Sequence, residues 1–233
     1  MNKNILSLST ILSALILSAC FDNGTSADDS SFNASKVCPV DGNNAYGEPN
    51  RGSFTDTRDG QVYKYTTIGN QVWMAQNLSY DDGSPCAEDP CSIKGREYDL
   101  ESMKTSCPAG WHLPIETEWR LLFDNMGGID SAGYHLKATS GWTPLNPGQL
   151  ANGTDDCGFS LLPIPTKGIY SNRLLSIYDD KVTDGYVALF WTGNPPEDDD
   201  YYTLGVLFET QKVYPNIIKY YYNDKLSVRC VKD

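Results

Sequence analysis

The sequence predicts an α+β domain of irregular antiparallel sheets with one or two helices, long loops and disulfides. Three observations lead there. Short β-rich runs separated by turn residues occur in both halves of the chain, one segment carries helical periodicity, and six cysteines remain once an export signal is set aside. The 233 residues are 40% hydrophobic and 12% aromatic, enough apolar surface for one large domain and a tail. Lys plus Arg number 18 against 30 Asp plus Glu, a formal charge of -12. No basic run interrupts that acid, so a nucleic-acid backbone would be repelled. With only His112 and His135, a His-rich metal centre is excluded and a histidine-based triad has few candidates.

Residues 1–19 read as a lipoprotein signal peptide. Lys3 precedes a run over 5–17 of apolar residues, Ser and Thr, shorter than the ~18–20 residues of a spanning helix. Leu17, Ser18, Ala19 and Cys20 resemble the lipobox of bacterial lipoproteins. That resemblance implies cleavage before Cys20, acylation of its thiol and attachment to a membrane through the lipid. Phe21, rather than Asp, after the cysteine resembles sorting to the outer membrane, with surface exposure expected. Residues 20–54 are expected to comprise the lipid anchor, a flexible spacer and a pinned N-terminal segment. The spacer is placed over 21–36, where Ser, Asp, Asn and Gly leave little to bury. From Val37 to Phe54, Cys38 ties the chain down, and the domain proper is expected over 55–233.

Within that domain, residues 61–78 form two β-rich runs split by Gly69-Asn70, a tight hairpin. Residues 79–94 read as a loop, and 95–107 suit a short helix. Over 115–126, Trp119, Leu122, Phe123 and Met126 fall at i, i+3, i+4 and i+7, with Gly127-Gly128 as the stop. Burying each of these contributes ~1.5–3 kcal/mol, which makes the stripe core rather than a ligand groove. Residues 185–192, 201–208, 213–222 and 226–231 read as strands of an antiparallel meander.

Six cysteines besides Cys20, an even number in an exported chain, point to three disulfides. Cys86 and Cys91 enclose four residues and can pair locally; no second pair at such spacing completes a metal site. Six cysteines allow 15 connectivities, so the remaining pairing needs outside help.

Chemistry-bearing residues are sparse. Asp198, Asp199 and Asp200, after Glu197, could offer oxygen ligands to calcium, the only cofactor suggested, although they lack regular ligand spacing and a solvated loop is the simpler role. His112, just before the helix, could act as a base, but no nucleophile motif accompanies it, and a hydrogen-bonded structural role is plainer. Alternate strand residues face opposite ways, so some of Tyr201, Tyr202, Tyr220, Tyr221 and Tyr222 should be exposed. Tyr201, Tyr202, Tyr220 and Tyr222 are the candidates for stacking on sugar faces, while strand propensity explains most of them without a ligand.

The strings DTRDGQVYKYTTIGNQVWMAQNL, CPAGWHLP followed by ETEW, Gly141-Trp142, GFSLLP at 158–163, Phe190-Trp191 and the terminal SVRCVKD resemble the Fibrobacter succinogenes major paralogous domain over about 55–233. The resemblance implies a C-type lectin-like domain, a fold shared with formylglycine-generating enzymes, on a secreted or lipid-anchored bacterial protein. In that fold the two ends of the domain meet in one sheet, which a Cys107–Cys230 bridge would brace, leaving Cys38 to Cys157. A bridge closing so long a loop contributes ~4–5 kcal/mol on the chain-entropy model. The copper-binding cysteine pair of formylglycine-generating enzymes has no counterpart near Cys230, so oxidase chemistry is unsupported. Glu48-Pro49-Asn50 has the letters of a calcium-lectin motif but precedes the domain. The expected function is that of a cell-surface lipoprotein, a non-catalytic binding module for polysaccharide, glycoprotein or an envelope partner. Alternatives are a structural or assembly component of the envelope and, with less support, a hydrolase or oxidase. Fold analogy carries this reading.

Overall fold

Among the described residues, a sheet of five strands and a sheet of four carry the fold, and the C-terminal segment contributes a strand to each. A computed structural model describes residues 32–144, 148, 150–163, 185, 187–194, 203–207 and 225–233, with 203–207 described as backbone alone. Arg51–Thr55 (β1), Val62–Ile68 (β2) and Gln71–Met74 (β3) form an antiparallel meander with Phe54 opposite Tyr63 and Thr66 opposite Trp73. The expected hairpin joins β2 to β3. Gly69 turns it at φ 58°, and a Cβ there would come within 2.4 Å of the Asn125 side chain.

The remaining strands are Glu97–Tyr98 (β4), Trp111–His112 (β5), Val187–Trp191 (β6), Thr203–Leu207 (β7), Leu226–Ser227 (β8) and Val231–Lys232 (β9). The sheets run β1-β2-β3-β9-β5 and β4-β8-β6-β7. The expected single strand over 226–231 is therefore two, because the chain leaves one sheet after Ser227 and enters the other at Val231. β6 also runs parallel to β8, so the simple antiparallel meander is corrected there to a crossover. The strand expected over 213–222 lies outside the described residues.

Glu116–Asn125 (α4) is the expected amphipathic helix; its Trp119, Leu122 and Phe123, with Met126 just beyond, are all buried. Glu118 accepts a hydrogen bond from the Ile115 amide at 2.9 Å at its start, and Gly127 and Gly128, both at φ 88°, end it. The other helices are single turns or little more: Ala34–Val37 (α1), Cys91–Lys94 (α2), Leu100–Met103 (α3) and Ala132–Leu136 (α5). Asp99 caps α3 by accepting from the amides of Glu101 and Ser102.

The spacer expected over 21–36 is too long at its C-terminal end. Phe32, Ala34 and Val37 pack against the core, Phe32 stands 4.0 Å from the His135 ring, and the Gly69 amide donates to Val37 at 2.7 Å. Ser31–Asp233 form one compact unit, and β1 begins within the segment placed ahead of the domain.

Strand alternation divides the interior in two. Trp73 of β3, with Ala188 and Phe190 of β6, joins a cluster with Trp119, Leu122, Phe123 and Phe159. Val72 and Met74 of β3, with Val187, Leu189 and Trp191 of β6, join a second with Tyr63, Tyr98 and Val228. Successive residues thus face opposite cores, and β6 is buried along its whole length. Three disulfides, Cys38–Cys157, Cys86–Cys91 and Cys107–Cys230, tie this framework with Cα separations of 5.5, 4.8 and 5.9 Å. No described helix is long and apolar enough to cross a membrane.

Candidate functional site

Where β1 pairs with β2, Arg51, Gly52, Lys64, Tyr65 and Thr66 form one wall of a pocket of about 390 Å³. Gln76 and Asn77, beyond β3, and the 158–162 loop supply other walls, and Arg229 lines it from the stretch where the chain passes between sheets. Arg51, Lys64 and Arg229 are cations, and among the described residues no acid lines the pocket. This is the reverse of the chain's overall charge.

Arg229 is 1% exposed. Its Nε donates to Asn77 Oδ1 at 3.2 Å, Nη2 donates to the same oxygen, and Nη1 donates to the Phe159 carbonyl. The guanidinium also lies 4.4 Å from the Phe159 ring centroid and 5.6 Å from that of Phe190. Among the described residues, every hydrogen-bond acceptor it meets is neutral. Burial pushes its pKa down to about 9, with the charge of Asp155 acting in the opposite direction, so it remains cationic at neutral pH. Asp155 is itself engaged by Ser160, whose amide and hydroxyl donate at 2.6 and 2.7 Å.

Arg51 uses Nη2 to donate to the Asp156 carbonyl at 3.2 Å, but its Nε is buried without a hydrogen-bond partner among the described residues. A buried donor left unpaired costs ~1–3 kcal/mol unless water or a ligand satisfies it. Gly52 makes room for the Tyr65 ring, since a Cβ there would come within 2.6 Å of the phenol oxygen. The pocket can therefore hold a small polar molecule between cations, two of them held by hydrogen bonds, and the Cys38–Cys157 bridge secures the loop beside it.

The residues singled out by sequence chemistry lie elsewhere. Cys20, Tyr201, Tyr202, Tyr220, Tyr222, Asp198, Asp199 and Asp200 are outside the described residues. Among the described residues no group of three or more His, Cys, Asp or Glu is placed to hold a metal. Both nitrogens of His112 face carboxylates, Asp233 at 2.7 Å and Glu118 at 2.9 Å, so the ring serves as a clamp. Glu48 pairs with Lys232 at 2.6 Å, and Asn50 donates to the Asp41 carbonyl at 2.7 Å, giving the Glu-Pro-Asn letters a local structural role. Sequence reasoning missed the pocket cations. One signal was available: Arg229 is a lone charge in the otherwise uncharged run LSVRCV, and a charge in a buried run needs a reason.

No curated protein and no solved structure is significantly similar to this chain. A family model described as the Fibrobacter succinogenes major domain matches residues 66–232. The match takes in the end of β2, the turn, β3, α4 and the terminal strands, together with the Arg229 side of the pocket. Covering well over half of the sequence, it shows that the chain belongs to the Fibrobacter succinogenes major domain family.

Proposed function

We propose that the chain is an exported, lipid-tethered binding module that holds a polysaccharide, glycoprotein or envelope partner without turning it over. The observation that carries this reading is the cation-lined pocket set in a frame cross-linked by three disulfides. A framework fixed before binding loses little conformational entropy when a ligand arrives, so modest contacts yield useful affinity. Disulfides of this number suit an oxidising compartment, and the lipobox at Cys20 supplies the tether, with the outer membrane as its destination. A lectin-like use of loops fits an α+β frame whose long connections lie outside its short strands. His112, held between two carboxylates, is poorly placed to serve as a general base.

Retention of the purified full chain on immobilised plant and bacterial polysaccharides, with and without calcium chelation, tests the binding role. Saturable retention on at least one glycan is expected. Failure on every glycan, alongside recovery of one envelope protein by crosslinking, would move the assignment to a structural component. Mass spectrometry of the membrane fraction should find Cys20 acylated.

A further inference from the structure

We infer that the pocket between β1, β2 and Arg229 takes a single carboxylate carried on a hydroxylated ring, the chemistry of a uronate sugar; this rests on the binding role proposed above and specifies its ligand. The first support is unmatched charge. A guanidinium has five N–H donors, and Arg229, 1% exposed, spends three hydrogen bonds on the neutral oxygens of Asn77 and Phe159. Buried charges are ordinarily paired with an opposite charge, yet among the described residues no carboxylate forms an ion pair with Arg229, and the charge of Asp155, itself held by Ser160, acts on it without contact. Arg51 adds a buried Nε–H without a partner, and Lys64 adds a third cation at the same pocket. An incoming carboxylate supplies the missing anion.

The second support limits how much charge the ligand bears. The chain carries a formal -12, which disfavours a dense polyanion such as a polyphosphate running across its surface. At physiological salt, charges more than ~8 Å away are largely screened, whereas groups in contact inside a pocket are not. One carboxylate therefore feels the three cations while a neutral remainder of the ligand avoids the acidic exterior. The third support is the rest of the lining. Within the described residues the Gln76 amide nitrogen makes no hydrogen bond, leaving a donor for a ring hydroxyl. The volume of about 390 Å³ falls within the ~300–1,000 Å³ common for small-molecule sites.

The test is an NMR titration of the folded full chain with glucuronate and galacturonate, their neutral counterparts glucose and galactose, and inorganic phosphate. A saturable uronate response with Kd of ~1 mM or tighter is expected, and the neutral sugars should bind about tenfold more weakly. Arg51→Gln and Lys64→Gln should each weaken uronate binding about threefold to tenfold, more than they weaken the response to neutral sugars. Lys64 is exposed, so its variant keeps the test open if Arg51→Gln fails to fold. Neutral sugars bound as tightly as uronates would overturn the carboxylate assignment and leave the binding module standing. Phosphate preferred over uronate, or uronate affinity unmoved in both variants, would overturn it as well. No response to any sugar would remove the glycan reading together with this inference.

Discussion

His112 Nδ1 lies 2.7 Å from an Asp233 carboxylate oxygen, while Nε2 of the same ring lies 2.9 Å from Glu118. One imidazole thus joins the first turn of α4 to the residue following β9, an inner strand of the larger sheet. Partial burial alone would lower the His112 pKa, but the hydrogen bonds to Asp233 and Glu118 outweigh it and hold the pKa above its ordinary value of 6.5.

The sign of the resulting pH dependence is fixed. The clamp contributes fully below pH 6.5 and is lost as pH rises through the raised folded value. Because the His112 side chain is 39% exposed, solvent screening limits the contribution to about 0.5–1 kcal/mol. In urea denaturation, stability should fall by that amount across this window, and His112→Gln should remove that fall. An unchanged pH profile in the variant would show that the two ion pairs do not couple to folding.

Glu97 gives a second, lower window. On β4, opposite Ser227, its carboxyl is pushed up to about 7 by burial, with Lys225 only partly offsetting the shift. The folded state therefore favours the protonated acid, and its stability falls as pH rises from about 4.5 to about 7. Order of magnitude, the loss is up to ~3 kcal/mol. Glu97→Gln should flatten the profile between these values and stabilise the protein at pH 7.5. A variant less stable than the parent at that pH would mean that the ionised carboxylate is favourably paired.

The hairpin at Gly69 and helix α4 were legible because each repeats a local pattern: a turn between two β-rich runs, and four apolar residues spaced over two helical turns. Two-residue strands such as β5 and β8 cannot show a period, and short helices such as α1 and α5 offer too few residues to display an amphipathic face. The parallel pairing of Phe190 with Ser227 is set by tertiary packing, which no local pattern in β6 reports. The pocket was harder still. Arg51, Lys64 and Arg229 stand far apart in sequence and converge only through the β1–β2 register and the passage of the chain between sheets. Cysteine count indicated three bridges, but choosing among 15 connectivities required knowing which segments meet.

Trp73 and Trp119 separate packing from hydrogen bonding. Their rings lie 4.8 Å apart in the same core and both side chains are buried. Trp73 Nε1 donates to Gln71 Oε1 at 3.3 Å, whereas Trp119 Nε1 is buried without a partner. Trp73→Phe loses volume and a hydrogen bond to the Gln71 oxygen; Trp119→Phe loses similar volume but removes a donor without a partner among the described residues. Trp73→Phe should therefore cost about 1–2 kcal/mol more than Trp119→Phe in chemical denaturation. Equal costs would mean that the Trp119 indole finds a partner in solution.

The cross-links differ in the amount of chain they constrain. Cys107 and Cys230 are separated by 123 positions and join the approach to β5 with the approach to β9, whereas Cys86 and Cys91 are separated by 5. On the chain-entropy model, loops of these sizes correspond to about 5 and about 2 kcal/mol, respectively. Replacing Cys107 and Cys230 together by Ser should therefore lower the thermal midpoint more than replacing Cys86 and Cys91 together. The larger pair also sits at the junction of the sheets, where Met74 donates to the Cys230 carbonyl at 3.0 Å, so loss of the bridge should expose β9 amides to hydrogen exchange. Hydrogen–deuterium exchange with unchanged protection at Val231 and Lys232 in the Cys107/Cys230 variant would show that the β3–β9–β5 pairing holds the terminus without the bridge.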